Sequence, residues 1–195
     1  VEEKPMLSKM EGELSHFPKI SAIEEIDNTA AEILSGFYFE EFKKHCRLEK
    51  NSIAIDKLPL NILQVPLINQ IFPQAKFVLA LRHPLDCVFS CWMQNFKMNP
   101  AMANMVDLDR VVDFYCTAME ILNLCQKRYR LNIHRIRYED LVLDFRGEVS
   151  NTLAFLDLKW EEQLRNYQKT AFAREIINTP SYSQVVKPIY NTASY

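Results

Sequence analysis

Apolar positions along this chain change their spacing several times, and each change marks the edge of a predicted element. Residues 5–18, with Pro5, Gly12 and Pro18, predict a short helix followed by loop. From Ser21 to about Cys46, Ile33, Leu34, Phe37, Tyr38 and Phe42 form a stripe at helical spacing. Asn28 or Thr29 is its expected cap, and Lys43 and Lys44 sit near its negative end. Ser52-Ile53-Ala54-Ile55-Asp56 is a short β-type run that ends at Lys57-Leu58-Pro59, and a helix is expected from about Asn61 to Ile71. Lys76–Leu81 is a continuous apolar run with Arg82 at its end, the pattern of a strand covered on both faces. Pro84 suits the first turn of the next helix, with Asp86 beside its positive end. Val111, Val112, Phe114, Tyr115, Ala118, Met119, Ile121, Leu122 and Cys125 hold a 3.6-residue period, so Leu108–Arg130 predicts a long amphipathic helix. Asn132–Tyr138 predicts another strand, ending at Glu139-Asp140-Leu141. Helices are expected over 147–157 and 161–168, and the stretch from Asn178 to Tyr195 is turn-rich and polar.

Strands alternating with helices argue for an α/β fold with a parallel sheet and helices on both faces. No repeat or linker interrupts the pattern, so residues 1–195 are expected to form a single domain. Ligands of such sheets bind at the carboxyl ends of the strands. The polar punctuation falls at those ends: Asp56-Lys57, Arg82-His83, and Arg137-Tyr138-Glu139-Asp140.

Composition narrows the partners. Apolar residues make up 48% and charged residues 25%, an ordinary globular balance. The net charge of −2 provides no broad basic field, so neither nucleic acid nor an anionic membrane is an expected partner. Any anion site must therefore be built from a few placed residues. No run of 18 apolar residues predicts a membrane span, and no charged start followed by an apolar stretch predicts a signal peptide. The five cysteines (Cys46, Cys87, Cys91, Cys116 and Cys125) form no C-x-x-C pair and no cluster with zinc spacing. Cys87 and Cys91, four apart on one helix face, read as small buried hydrophobes, and a reducing, cytoplasmic compartment with no metal is expected. Only Gly12, Gly36 and Gly147 supply glycine, although nucleotide-binding folds normally place it in a phosphate loop.

The sharpest local chemistry lies in Arg82-His83-Pro84-Leu85-Asp86-Cys87-Val88-Phe89-Ser90. Arg82 leaves a strand end, Pro84 starts a helix with unpaired first-turn N–H groups, and Ser90 lies about two turns on. An arginine fork, a hydroxyl and a helix start suit a terminal phosphate monoester. The plainer reading is a salt-bridged arginine and a helical serine.

The stretch Phe72–Ser90 resembles the 3′-phosphate-binding segment of sulfotransferases that use 3′-phosphoadenosine 5′-phosphosulfate (PAPS), in the bacterial and tyrosylprotein branches. The resemblance implies that Arg82 and Ser90 hold the 3′-phosphate of PAPS. Asp56-Lys57-Leu58-Pro59-Leu60-Asn61 resembles the lysine segment of the same branches, which implies a catalytic Lys57. Tyr138-Glu139-Asp140-Leu141 resembles the family's Tyr-Glu-Asp element, and implies Tyr138 near the adenine. Ser181-Tyr182-Ser183-Gln184-Val185-Val186-Lys187-Pro188 resembles the Ser-x-x-Gln-Val-x-Lys-Pro stretch, where the serine, here Ser181, binds the nucleotide. Glu2-Glu3 resembles an acidic pair whose second member is the general base, and implies that role for Glu3.

The resemblance implies a P-loop-containing nucleoside triphosphate hydrolase-like fold. It also marks a departure, because the family's first strand and its 5′-phosphosulfate loop have no counterpart in this sequence. The chain therefore reads as an N-terminally truncated sulfotransferase domain, transferring a sulfuryl group from PAPS to the hydroxyl of a peptide tyrosine or a small molecule. A homo-oligomer or a strand-donating partner is expected to fill the vacant strand position. The alternative is a non-catalytic nucleotide-binding fragment of a sulfotransferase-like protein. A kinase or nucleotide hydrolase would need Gly-x-x-x-x-Gly-Lys and a metal-binding acid, and the sequence has neither.

Overall fold

A computed structural model describes residues 4–17, 22–49, 52–96 and 98–166. Glu3 and Ser181, and the polar stretch from Asn178, lie outside the described residues. Contacts within the chain gather into two compact units, one of residues 1–75 and 118–132, the other of residues 76–117 and 133–195.

The first unit is helical. It holds α1 (Met6–Gly12), α2 (Asn28–Lys43) and α3 (Val65–Ile71), with short 3-10 turns at Glu13–His16, Ile23–Glu25 and Pro59–Gln64. The cap of α2 is Asp27, one residue earlier than expected. Its backbone is extended, and its carboxylate accepts the Ala30 N–H at 2.8 Å. The buried stripe of α2 is also narrower than the pattern suggested: Ala30, Leu34, Tyr38 and Phe42 face the core, whereas Ile33 and Phe37 are 45% and 43% exposed. Met6, Met10, Leu34 and Phe42 are almost wholly enclosed, joined by Leu67 and Ile71 of α3. Tyr38, Phe39, Phe42 and Phe72 pack ring to ring with centroids 5.1–6.4 Å apart, mostly edge to face.

Glu41 is the buried charge of this core. Its carboxylate accepts from Lys9 of α1 at 2.6 Å and from Lys44 at 2.7 Å, with the His45 ring at 3.2 Å. The two lysines let a carboxylate lie under an apolar cover that would otherwise reject it. The helix expected over 61–71 splits into a 3-10 turn and α3, because Pro66 fits only in the first turn of an α-helix.

Ser52–Asp56 does not become a ladder strand. It has no regular structure, Ile53 and Ile55 are 53% and 59% exposed, and only Lys57 makes an isolated β-bridge. A β-type run is a strand only when a neighbour takes its backbone groups, which its own composition cannot guarantee.

The second unit is α/β. β1 (Lys76–Leu81) and β2 (Asn132–Arg137) pair in a parallel two-stranded sheet. α4 (Pro84–Met93) follows β1, and α5 (Leu108–Arg128) starts in this unit, with its residues from Ala118 onward belonging to the first. β1 is not buried on both faces as its apolar run suggested. Phe77, Leu79 and Leu81 are half-buried while Lys76, Val78 and Ala80 are exposed, the alternation of a strand with one covered face. Val88 of α4 packs with Met105 and Val111 in a small core.

β2 runs directly into α6 (Tyr138–Leu143), a helix the sequence pattern did not reveal, and then α7 (Phe145–Phe155). Asp144 caps α7 by accepting the Gly147 N–H at 2.8 Å, so the helix starts two residues earlier than expected. α7 is fastened to the sheet from both strands. Lys76 bonds the Phe155 carbonyl and the Asp157 carboxylate, and His134 stacks on Phe155 and bonds Thr152. The Thr152 hydroxyl already donates to the Glu148 carbonyl, so His134 must donate through Nε2.

Candidate functional site

The carboxyl end of β1 delivers Arg82 and His83 to the start of α4. Pro84 occupies the first turn, where its missing N–H is no loss and its fixed φ matches the helix. The remaining first-turn N–H groups have no intrahelical acceptor, which makes this end of α4 electropositive. Asp86, also in the first turn, has its side chain only 10% exposed, and accepts from Arg82 Nε at 3.2 Å. That bond restrains the guanidinium through Nε, and among the described residues its two terminal NH2 groups make no hydrogen bond.

Tyr138, the first residue of α6, completes the setting of Arg82. The guanidinium lies over the Tyr138 ring with 5.2 Å to the centroid. Arginine favours this stacking because its planar cation sheds water more readily than an ammonium does. The resemblance implies Tyr138 near an adenine; here the ring holds an arginine, a contact across the sheet end that no local pattern encodes.

Glu139 is a functional candidate the sequence reading passed over. Its Oε1 accepts the His83 N–H at 2.8 Å, and its buried Oε2 has Arg137 at 3.7 Å and no hydrogen bond. Burial pushes this carboxyl up, but the N–H bonds from His83 and from Glu139's own backbone, with the Arg137 charge, more than reverse it. The group is held below the ordinary glutamate range and stays ionised at neutral pH.

Ser90 is half-buried on α4, four residues after Asp86 and thus on the same helix face. Arg82, Asp86, Ser90 and Tyr138 all belong to the second unit, whereas Lys57 belongs to the first. Lys57 is exposed, and follows Asp56, whose carboxylate accepts the Tyr38 hydroxyl at 3.0 Å. Burial raises the Asp56 carboxyl above its usual range despite that bond, and burial together with the Asp56 charge raises the Tyr38 hydroxyl. The thiols of Cys87 and Cys91 are both pushed up, chiefly by burial, so neither is an activated nucleophile. Among the described residues no group of three or more His, Cys, Asp or Glu is placed to hold a metal ion, and no helix is long and apolar enough to cross a membrane.

Comparison with known proteins adds an independent line. An uncharacterized protein of Aquifex aeolicus (strain VF5) is 28% identical over 177 residues, which is 88% of this chain and 22% of that protein. The chain thus spans about a fifth of that relative's length. The model of the sulfotransferase family matches residues 2–162, a span that includes Lys57, the whole β1–Arg82–α4 junction and Tyr138-Glu139. With most of its length matched in this way, the chain belongs to the sulfotransferase family.

Proposed function

We propose that this chain supplies the 3′-phosphate anchor and a catalytic lysine for transfer of a sulfuryl group from PAPS to an acceptor hydroxyl. The observation that carries this reading is Arg82, held by Asp86 and Tyr138 at the mouth of α4, its terminal NH2 groups making no hydrogen bond among the described residues. A dianionic phosphate monoester matches that fork and the positive helix end behind it. Asp86 does not spoil the site for an anion, because its charge is compensated by the Arg82 it orients.

In the reaction the acceptor oxygen attacks sulfur, the bond from sulfur to the bridging oxygen breaks, and adenosine 3′,5′-bisphosphate leaves. The acceptor proton passes to Glu3, and Lys57 neutralises charge growing on the departing oxygen. Ser90 adds a hydroxyl to the phosphate, and Ser181 and Tyr138 line the nucleotide. Such a transfer rests on positioning and charge stabilisation, so these residues require no metal to act.

The test is calorimetry of the full-length protein with adenosine 3′,5′-bisphosphate, followed by assay with labelled PAPS and a panel of phenols, alcohols and tyrosine peptides. Binding that depends on the 3′-phosphate and on Arg82 supports the reading. Equal affinity for adenosine 5′-phosphate refutes it, and binding without turnover on any acceptor favours a non-catalytic nucleotide-binding role.

A further inference from the structure

Two consecutive residues at the end of β2 grip two consecutive residues at the end of β1. The Tyr138 ring lies against the Arg82 guanidinium, and Glu139 Oε1 accepts the N–H of His83 at 2.8 Å. Glu139 reaches a backbone 56 residues away, and its second oxygen is enclosed without a hydrogen bond. A carboxylate that turns one oxygen into the protein without a hydrogen bond while the other takes a distant backbone N–H directs attention to the segment it holds. The segment it holds is the two-residue link between β1 and α4, which carries Arg82 on one side and starts the helix on the other.

We infer that Glu139 is a positioning residue for the donor site: by bonding the His83 N–H it fixes the β1–α4 link, and through it the direction of the Arg82 guanidinium. This rests on the assignment of Arg82 to the 3′-phosphate. Without the bond, the link keeps its covalent path but gains freedom at His83, and the Arg82 fork samples orientations that miss a phosphate. The loss then falls on donor binding, which precedes chemistry, more than on turnover.

Three variants of the full-length protein separate the possibilities. Glu139→Ala removes the acceptor. Glu139→Gln keeps a carbonyl oxygen able to accept the same N–H. His83→Pro removes the donor from the other side, and suits the His83 backbone at φ −49° and ψ 128°. Each would be measured by calorimetry with adenosine 3′,5′-bisphosphate and by donor KM and kcat, with hydrogen exchange at the His83 amide in the glutamate variants.

Glu139→Ala and His83→Pro are expected to weaken nucleotide binding about tenfold each, the scale of one charge-assisted hydrogen bond, with kcat falling far less. The double variant should be no weaker than either single one, because both remove the same bond. Glu139→Ala should also speed exchange of the His83 amide, and Glu139→Gln should restore both protection and affinity. The inference is overturned if Glu139→Ala and His83→Pro bind normally while Arg82→Ala does not, or if Glu139→Gln is as weak as Glu139→Ala. If Arg82→Ala itself binds normally, the donor-site assignment fails instead.

Discussion

Replacing Arg82 by lysine preserves a positive charge and removes everything else that is particular about this site. The arginine bonds Asp86 through Nε at 3.2 Å and lies over Tyr138 at 5.2 Å, and the proposed donor site gives its terminal NH2 pair to the 3′-phosphate. A lysine keeps one point contact, so at least one charge-assisted hydrogen bond is lost, worth about 1.5–3 kcal/mol in a fully formed site. The Arg82 side chain is 31% exposed, so solvent screening puts the bond near the low end of that range. The Tyr138 contact is made with or without a nucleotide, so its loss adds no separate ligand contact to this figure. The expected loss is about 1.5 kcal/mol, or roughly tenfold in affinity for adenosine 3′,5′-bisphosphate. Magnitude alone does not separate a lost phosphate contact from a general loosening. Adenosine 5′-phosphate, which lacks the 3′ group, does: paired calorimetry of both nucleotides on wild type and Arg82→Lys closes a thermodynamic cycle. The expected result is that the variant loses affinity for the bisphosphate and almost none for the monophosphate. Equal losses for the two nucleotides would mean that Arg82 shapes the sheet end without touching the 3′-phosphate, and the assignment would fall.

Three further outcomes test other parts of the account. Lys57→Ala in the full-length protein should lower kcat by about a hundredfold, the effect of losing one preorganised group aimed at transition-state charge, with donor KM nearly unchanged; a normal kcat would make the lysine structural. Leu34→Ala, at a side chain with no measurable exposure, should destabilise the first unit by about 2.7–5 kcal/mol, read by denaturant unfolding, and a loss below about 1 kcal/mol would mean that this core is loosely packed. Glu41 is lowered from 4.5 to about 2, first by Lys44 and then by Lys9 against the opposing effect of burial. A depressed carboxyl stabilises the fold above its unfolded pKa and loses that contribution as pH falls through the folded value. The melting temperature of wild type should therefore drop more steeply than that of Glu41→Gln between about pH 4.5 and 2, and parallel curves would remove Glu41 from the acid response.

What was legible in the sequence follows from how far each determinant reaches along the chain. The junction from Lys76 to Ser90 was readable because a strand-forming run, a proline compatible only with a first turn and an acid at the helix start all act within a few residues. The period along α5 was readable for the same reason, being written over 21 residues, although Val112 of the expected stripe is exposed. Asn28 and Thr29 were plausible caps by residue type, yet Asp27 won because the backbone turns extended at that residue, a choice the three neighbours' types leave open. Ile33 and Phe37 joined the helical stripe on hydrophobicity alone, and only the position of α1 and α3 decides that Leu34 and Tyr38 face them.

The harder cases depend on partners. Ser52–Asp56 has strand composition, but pairing is a property of two segments, and a single run cannot state its neighbour. Glu139 is the sharper instance. The reading of Tyr138-Glu139-Asp140 singled out the aromatic ring, because a ring beside a nucleotide has obvious chemistry while an acid at a strand end resembles ordinary solvated surface. Its significance lies in a bond to a backbone N–H 56 residues earlier, and a backbone donor has no residue type to advertise it. The sequence does contain a weak cue. In a parallel sheet the carboxyl ends of paired strands lie side by side, so Arg82-His83 and Tyr138-Glu139 are neighbours by topology once β1 and β2 are aligned. An acid at one such end and a basic pair at the other are then positioned to act on each other before any ligand arrives. On the proposed donor site, the same reasoning separates a residue that would meet the phosphate from one that would hold it in place: Arg82 carries a charge a phosphate can pair with, and Glu139 carries the opposite charge, so it could serve an anion site only through the backbone it restrains.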